Sequence, residues 1–194
     1  MNWKSSYWKF VAAFTAIVIV VAGGYFIWDR YFSEAGFIRR QAAVAEKAEK
    51  EYIADVYFGA ESATDDAEGE KTLIAHDTQP TELEIQKILP QFTGEIMQMP
   101  PQYSALKIGG RAAYKFARKG RVAPLAERRV LVKEIELLEY KWPHLKLRVV
   151  TGPGVYIRAL ARDIGRALKV GGYLSDLERT RVGDFTKEDC QRIY

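Results

Sequence analysis

Three arginines recur at intervals of four residues in the C-terminal part of the sequence. Arg158, Arg162 and Arg166 occupy positions i, i+4 and i+8 of a segment whose apolar residues repeat with helical periodicity, so the three side chains share one helix face. A row of guanidinium groups of this kind can bind phosphates. The alternative is a solvated face on which Asp163 relieves the repulsion between the arginines, and the spacing alone favours that interpretation.

A second segment, residues 102–121, mixes basic and aromatic side chains. Basic side chains contact phosphates and aromatic rings can stack on unpaired bases, so this composition suits RNA. The alternative is an amphipathic helix whose aromatic residues belong to the core. The residues concerned are Tyr103, Lys107, Arg111, Tyr114, Lys115, Phe116, Arg118, Lys119 and Arg121.

A pair of carboxylates forms the third candidate group. Asp65 and Asp66 stand close to Glu68 and Gly69, after the first predicted strand. Two adjacent carboxylates could serve acid–base chemistry or hold a metal ion. An acidic turn is the more common origin of such a pattern.

The chain has 194 residues and a net charge of +4, which is unevenly distributed. Residues 51–100 hold eleven acidic side chains against two lysines, whereas residues 103–133 hold nine basic side chains against Glu127. The basic part could meet a polyanion, and a solvated charged surface is the alternative. Cys190 is the only cysteine, and His76 and His144 stand far apart. The sequence therefore predicts no intrachain disulfide, no metal site and no serine–histidine–aspartate triad.

The first 32 residues differ in character from the rest. Nineteen uncharged residues, 10–28, lie between Lys9 and Asp29, and this length spans a bilayer core. Aromatic residues flank the stretch on both sides, as they do at membrane interfaces. We expect residues 1–32 to form a membrane anchor that leaves the globular part in the cytoplasm. A cleaved signal peptide and a buried helix are the alternatives.

Beyond this anchor, periodicity and turn residues predict both helices and strands. Residues 33–49 are rich in alanine and charge and predict a helical linker. Thr81 followed by Glu84 is a capping box that begins a short helix. We therefore expect a domain of the α+β class over residues 50–194. Its other predicted elements are strands at 52–58, 130–138, 145–150 and 179–182, a polar loop at 59–69, and helices at 111–119 and 155–168.

Four blocks of sequence carry a family resemblance. They are KEYIADVYFGAESATDDAEGE (50–70), FTGEIMQMPPQYSALKIGGRAAYKFARKG (92–120), GPGVYIRALARDIG (152–165) and GGYLSDLERTRVGDFTKED (171–189). In this order the blocks resemble the central and C-terminal parts of the bacterial tRNA pseudouridine-55 synthases, the TruB type. The resemblance implies a partial pseudouridine synthase domain over residues 50–194.

The same resemblance implies a chemistry and assigns residues to it. Enzymes of this family flip a uridine out of the T-loop of tRNA and isomerise it without a cofactor or a metal ion. Tyr52 would stack on the target base, Arg158 would form a salt bridge with the catalytic aspartate, and Leu177 would pack in the pocket. An aromatic ring can return part of the stacking that base flipping forfeits. The candidates for RNA contact are Tyr103, Lys107, Arg111 and Lys115.

One part of the family pattern has no counterpart in this sequence. The catalytic aspartate of the family belongs to a G-x-L-D-P type motif upstream of the first block. The only aspartate in residues 1–50 of this sequence is Asp29, which flanks the apolar stretch and is not part of such a motif. We therefore expect an incomplete mixed sheet with flanking helices and an exposed sheet edge. One interpretation is that a separate polypeptide supplies the catalytic half. The alternatives are a membrane-tethered RNA-binding module without catalysis and a non-catalytic fragment from a rearranged or truncated gene.

Overall fold

The computed structural model describes residues 43–118 and 120–189. The chain divides into two units, Met1–Glu46 and Lys47–Tyr194, and almost all described residues belong to the second. Residues 43–47 are helical and lie in the segment predicted as a linker. The predicted anchor at 10–28 lies outside the described residues. None of the described helices combines the length and the apolar character that a membrane crossing requires.

Strands dominate the regular structure of the described residues, and three α-helices are present besides the helical residues 43–47. The strands are β1 (Lys50–Phe58), β2 (Ala60–Ser62), β3 (Lys71–Leu73), β4 (Gly94–Gln98), β5 (Lys107–Ile108), β6 (Arg111–Ala112), β7 (Arg128–Lys141), β8 (His144–Thr151), β9 (Gly172–Val182) and β10 (Phe185–Thr186). The helices are α1 (Glu82–Ile88), α2 (Tyr114–Ala117) and α3 (Ile157–Ala167), with 3₁₀ turns at Leu89–Phe92 and Lys187–Asp189. This composition agrees with the predicted α+β class.

Six of the strands build one antiparallel sheet in the order β10–β9–β1–β8–β7–β4. The other four strands form two small hairpins, β2 with β3 and β5 with β6. Within the described residues, the sheet therefore ends at β4 on one side and at β10 on the other. Since β10 pairs only with Arg181 and Val182, residues 175–180 of β9 have no described strand on their outer side.

The hydrophobic core lies between one face of this sheet and α3. Ala54, Val56 and Phe58 alternate along β1 and are almost completely buried, as the period of a strand requires. They pack in one cluster with Leu160 and Ile164 of α3. The buried face of the sheet is therefore the face that α3 covers, and side chains two residues apart on β1 point towards the helix.

The opposite face of the sheet carries charged side chains. Arg148 of β8 forms ion pairs with Glu51 at 2.9 Å, Glu134 at 3.0 Å and Glu136 at 3.2 Å. These residues lie on three adjacent strands, so the ion pairs cross the sheet. An antiparallel sheet with one apolar and one hydrated face has this pattern.

The capping box that the sequence predicts is present at the start of α1. The backbone N–H of Glu84 donates to the Thr81 hydroxyl, and the backbone N–H of Thr81 donates to the Glu84 carboxylate at 2.7 Å. The same contact lowers the pKa of Glu84, because the Thr81 backbone and hydroxyl stabilise the charged form. Ile85 is the buried residue of this helix.

The helix predicted at 111–119 is only partly correct. Residues 107–112 form the β5–β6 hairpin, and only Tyr114–Ala117 is helical. Gly109 and Gly110 both have positive φ, and two such residues in succession make the tight turn that joins two antiparallel strands. Gly110, which precedes the predicted helix, is therefore part of the turn of a hairpin.

Two other predicted boundaries also differ from the structure. The predicted polar loop at 59–69 contains β2, which pairs with β3. The predicted last strand at 179–182 is the end of the eleven-residue strand β9. Residues 172–178 of this strand were missed because their sequence, GYLSDLE, lacks the regular alternation of apolar and polar residues of a half-buried strand.

Helix α3 lies directly on the beginning of β9. A Cβ atom at Gly165 would come within 2.4 Å of the backbone of Gly171 and Gly172, and a Cβ at Gly172 would lie 3.0 Å from the carbonyl oxygen of Ala161. No side chain separates the helix from the strand at this point. The position of α3, and of the arginines on it, is therefore set by contact with the sheet backbone.

Candidate functional site

The three arginines of α3 face three carboxylates of the segment that follows β1. Arg158 contacts Asp66 at 2.5 Å, Arg162 contacts Asp65 at 2.8 Å, and Arg166 contacts Glu61 at 2.7 Å. We call these three ion pairs the arginine ladder. The interpretation of the arginines as a solvated face is wrong, because an acidic segment distant in sequence neutralises all three.

Arg158 is held by three oxygen atoms. Its Nη1 donates to Asp66 Oδ2 at 2.5 Å and to the carbonyl oxygen of Thr64 at 3.4 Å, and its Nη2 donates to the carbonyl oxygen of Tyr103 at 3.0 Å. The guanidinium is part-buried and needs an anionic partner, and Asp66 is that partner within this chain.

Asp66 is held in its charged form by several hydrogen bonds. The hydroxyl of Thr64 donates to its Oδ1, as does the backbone N–H of Glu68 at 3.1 Å. Burial alone would raise the pKa of Asp66, but the bonds from Thr64, Arg158 and Glu68 together outweigh it, so the pKa lies below its ordinary value. Asp66 is therefore a permanent anion beside Arg158 at neutral pH.

The middle pair of the ladder is the most buried. Arg162 is 7% exposed and donates to Asp65, to Asp163 and to the carbonyl oxygen of Met99, each at 2.8 Å. Burial raises the pKa of Asp65 despite the attraction of Arg162. Asp65 also has positive φ, and its carbonyl oxygen accepts a hydrogen bond from the backbone N–H of Leu174 in β9. The turn at Asp65 is therefore held by α3 through the side chain and by β9 through the backbone.

The third pair lies nearer to the solvent. Arg166 donates to both oxygens of Glu61, from Nε at 2.7 Å and from Nη2 at 2.9 Å. These bonds lower the pKa of Glu61. The Arg166 side chain is 56% exposed, against 9% for that of Arg162. The ladder therefore runs from a buried centre to one hydrated end.

Tyr52 and Leu177 lie on the sheet face that α3 covers. Tyr52 stands two residues before the buried Ala54 on β1 and packs against the core, and Leu177 of β9 is directly opposite Ala54 in the register of the two strands. Opposed residues of an antiparallel pair point to the same face. Leu177 is 40% exposed. The structure therefore places Tyr52, Leu177 and Arg158 on the same side of the sheet.

Two amide side chains that sequence reasoning missed connect β4 and the segment after it to distant parts of the chain. The amide of Gln98 accepts from the backbone N–H of Tyr156 at 2.9 Å and donates to its carbonyl oxygen at 3.1 Å. The amide of Gln102 likewise accepts from the backbone N–H of Ala123 and donates to its carbonyl oxygen. One signal could have revealed Gln98: it occupies an inward-facing position of a strand, and a buried amide requires partners.

The candidates for RNA contact lie along this same segment. Tyr103 is half-buried, and its carbonyl oxygen binds Arg158. Lys107 in β5 and Lys115 in α2 are exposed, and Arg111 begins β6. Their contact with RNA stays a prediction. Within residues 43–118 and 120–189, no group of three or more His, Cys, Asp or Glu side chains is arranged to hold a metal ion.

Comparisons with known proteins cover nearly the whole of this domain. Residues 36–157 match the sequence profile of the TruB family pseudouridylate synthase N-terminal domain, and residues 158–193 match that of the tRNA pseudouridylate synthase B C-terminal domain. A tRNA pseudouridine synthase B of Bacteroides fragilis is 46% identical over 141 residues, which are 73% of this chain and 60% of that protein. One of Mesorhizobium japonicum is 43% identical over 144 residues, which are 74% of this chain and 44% of that protein.

A solved structure shows the same arrangement of the domain. The crystal structure of a Cbf5–Nop10–Gar1 complex contains a chain that is 30% identical to this one, with a TM-score of 0.55. The match covers 76% of this chain and 34% of that chain. This chain thus spans only about half of the length of the relatives that it matches.

Replacement of Arg162 or Arg166 of α3 by methionine should have unequal effects on stability. We expect Arg162→Met to lower the free energy of unfolding by about 3–5 kcal/mol, because Asp65 is left buried without its partner. Arg166→Met should cost about 1 kcal/mol or less, since that pair is hydrated. Urea unfolding of both variants measures the difference. Equal losses in the free energy of unfolding would contradict the conclusion that the Arg162–Asp65 pair is more buried than the Arg166–Glu61 pair.

Acid should remove the contribution of Asp66 to stability. A carboxyl whose folded-state pKa is depressed stabilises the fold above its ordinary pKa of 3.8, and that stabilisation is lost as the pH falls through the lower folded-state value. Below about pH 4, we expect the free energy of unfolding to fall more steeply for the unmodified chain than for Asp66→Asn. Urea unfolding over a pH series measures this. Asp77→Asn, at an exposed position, serves as the control, and parallel curves for the unmodified chain and Asp66→Asn would refute the prediction.

Proposed function

The chain belongs to the TruB family of pseudouridylate synthases, and we propose that it takes part in isomerising a uridine of the tRNA T-loop to pseudouridine. The observation that carries this proposal is the position of Arg158. Its guanidinium is fixed by Asp66 and two backbone carbonyl groups on the same side of the sheet as Tyr52 and Leu177. The family resemblance gives each of these residues a role. Tyr52 would stack on the target base, Leu177 would pack in the pocket, and Arg158 would form a salt bridge with the catalytic aspartate.

Each of the three residues suits a part in handling an extruded base. Tyr52 offers an aromatic ring, and stacking on such a ring returns part of the few kcal/mol that base flipping costs. Leu177 exposes an apolar surface beside the same strand pair. Arg158 provides a charge that is positioned before any substrate arrives, which spares the cost of ordering it during the reaction.

Arg158 can accept a second carboxylate without losing Asp66. Its described hydrogen bonds come from Nη1 and Nη2, whereas a guanidinium has five N–H donors, including that of Nε. The edge formed by Nε and the remaining Nη2 proton matches the two oxygens of a carboxylate. We infer that the catalytic aspartate approaches this edge.

We further propose that the aspartate comes from a separate polypeptide. The outer side of β9 supports this, because residues 175–180, which include the exposed Leu177, have no described strand paired with them on that side. Such an edge is a template for another strand. A catalytic half that paired there would place its residues beside Leu177 and on the sheet that carries Tyr52.

RNA binding by the segment around the β5–β6 hairpin completes the proposal. Tyr103 begins this segment, and its carbonyl oxygen is a ligand of Arg158. Lys107 and Lys115 project into solvent farther along it, and Arg111 lies between them in sequence. A phosphate backbone bound to these cations would thus be anchored close to the residue that serves the reacting base.

We also propose membrane attachment through residues 10–28, with the globular part in the cytoplasm where tRNA is found. This rests on the length of the uncharged stretch and on its aromatic flanks. Membrane fractionation of cells that express the full chain tests it, and recovery of the chain in the soluble fraction counts against it.

Pseudouridine formation should require both the chain and a catalytic half. Isomerisation breaks the C5–H bond of uridine, so tritium release from tRNA labelled at uridine C5 measures it. We expect no release with the chain alone, and release when the N-terminal part of the Bacteroides fragilis relative is added. Arg158→Met should abolish the release, whereas Arg166→Met, at the hydrated end of the ladder, should retain it.

The outcomes of this experiment separate the parts of the proposal. Release by the chain alone would refute the requirement for a second polypeptide. No release from a mixture of folded components would refute the proposed reaction. Release that is insensitive to Arg158→Met would refute the assigned role of that residue.

Binding of a T-loop hairpin RNA should depend on salt and on the basic segment. Each phosphate contact contributes about one unit to the slope of log affinity against log salt concentration. We expect the triple change Lys107→Gln, Arg111→Gln and Lys115→Gln to reduce that slope by about 3 and the affinity by at least about tenfold near 0.1 M salt. A fluorescence anisotropy titration measures both quantities.

The matched control for this prediction is a triple change of exposed lysines outside the segment, at Lys87, Lys141 and Lys169. This control has the same net charge as the first triple variant. If both variants lose affinity equally, RNA responds only to the total charge of the chain, and the segment has no special role.

A further inference from the structure

We propose that the cleft along the outer edge of β4 binds an extended, basic segment of a partner protein, which adds a strand to the sheet. This surface goes beyond the proposed reaction, because its lining includes neither Tyr52, Leu177 nor Arg158. The cleft has a volume of about 780 Å³. One side is formed by β4 and the residues that follow it, and the other by α3 and the segment around β2.

The edge of β4 supplies the main-chain partner for such a segment. Among the described residues, β4 pairs only with β7 and is the last strand of the sheet on this side. In an antiparallel pair, alternate residues of an edge strand direct their N–H and C=O groups away from the sheet. An extended peptide can satisfy these groups, and addition of a strand to a sheet edge is a recurring way to bind peptides.

Apolar side chains along this edge offer contacts that a peptide would cover. Met97 is 57% exposed and Met99 is 37% exposed, and both line the cleft together with Phe92 and Ile96. Methionine has a flexible and polarizable side chain that adapts to different partners. These residues lie beside the unpaired backbone, so a strand added there would bury both together.

Charge selects the kind of segment that fits. The lining contains five carboxylates and two guanidinium groups, a net charge of −3. The two guanidinium groups, of Arg162 and Arg166, are already neutralised within the ladder. Glu127 has no ion pair among the described residues, and Glu95 contacts only the exposed Arg129 in the described ion pairs. A lysine or arginine side chain would therefore find Glu127 without a described ion pair and Glu95 in a solvent-exposed one, whereas a phosphate backbone would be repelled.

A titration monitored by NMR tests this proposal on the solubilised full chain. The probe is a short peptide that alternates lysine and valine, and two control peptides replace lysine by glutamate or carry N-methyl groups on alternate residues. We expect the lysine peptide to shift the amide signals of residues 94–99 and 162–166. The glutamate peptide should not bind because of its charge, and the N-methylated peptide should not bind because it cannot pair with the edge.

Variants of the chain provide the second half of the test. The double change Glu95→Lys and Glu127→Lys should weaken binding of the lysine peptide by at least about tenfold. Glu139→Lys, at an exposed site outside the cleft lining, should leave it unchanged, and thermal unfolding confirms that both variants are folded. Loss of binding by the double variant together with unchanged binding by Glu139→Lys supports the proposal.

Several outcomes would overturn it. Equal binding of the N-methylated peptide would show that no strand is added, and equal binding of the glutamate peptide would show that the carboxylates do not select the ligand. Shifts of the same amide signals with T-loop RNA would identify the cleft as an RNA surface. Loss of these signals with rising protein concentration alone would identify it as an interface between two copies of the chain.

Discussion

The described part of the structure depends on the burial of one guanidinium group. Arg162 is almost entirely removed from solvent, and a buried charge is tolerated only where oxygen atoms surround it. Those oxygens come from three places: Asp65 in the turn after β2, Met99 at the end of β4, and Asp163 on the helix itself. One side chain thus joins the acidic turn, an edge of the sheet and α3.

This arrangement explains how Arg158 is positioned without being buried as deeply. It lies one helical turn before Arg162, so a helix fixed at Arg162 and resting on the backbone at Gly172 leaves Arg158 little freedom in position. Its side chain is 27% exposed, between the values of the other two arginines. The buried Arg162–Asp65 pair fixes the position of α3, and the half-exposed Arg158–Asp66 pair remains accessible to another group.

The sequence was informative where a pattern is local and uninformative where a partner is distant. The capping box of Thr81 and Glu84, the strand around Tyr52 and the helix around Leu160 follow from spacing alone. The hairpin at Gly109 and Gly110 did not, because two glycines can end a helix or turn a hairpin. The partners of the arginines lie some 90 to 105 positions away. Spacing on one helix therefore reveals a shared face but not what faces it.

The amide of Gln98 has a further consequence for this domain. It meets both the N–H and the C=O of a single residue, Tyr156, which lies two positions before Arg158. A carboxylate of the same shape could only accept and a lysine could only donate, whereas the amide satisfies both groups. The Gln98 side chain thus pairs with Tyr156 as the backbone of a neighbouring strand would. The start of α3 is held in place by this pair of uncharged hydrogen bonds and not by an ion pair. Salt, which weakens the ion pairs of the exposed arginines, leaves this alignment in place.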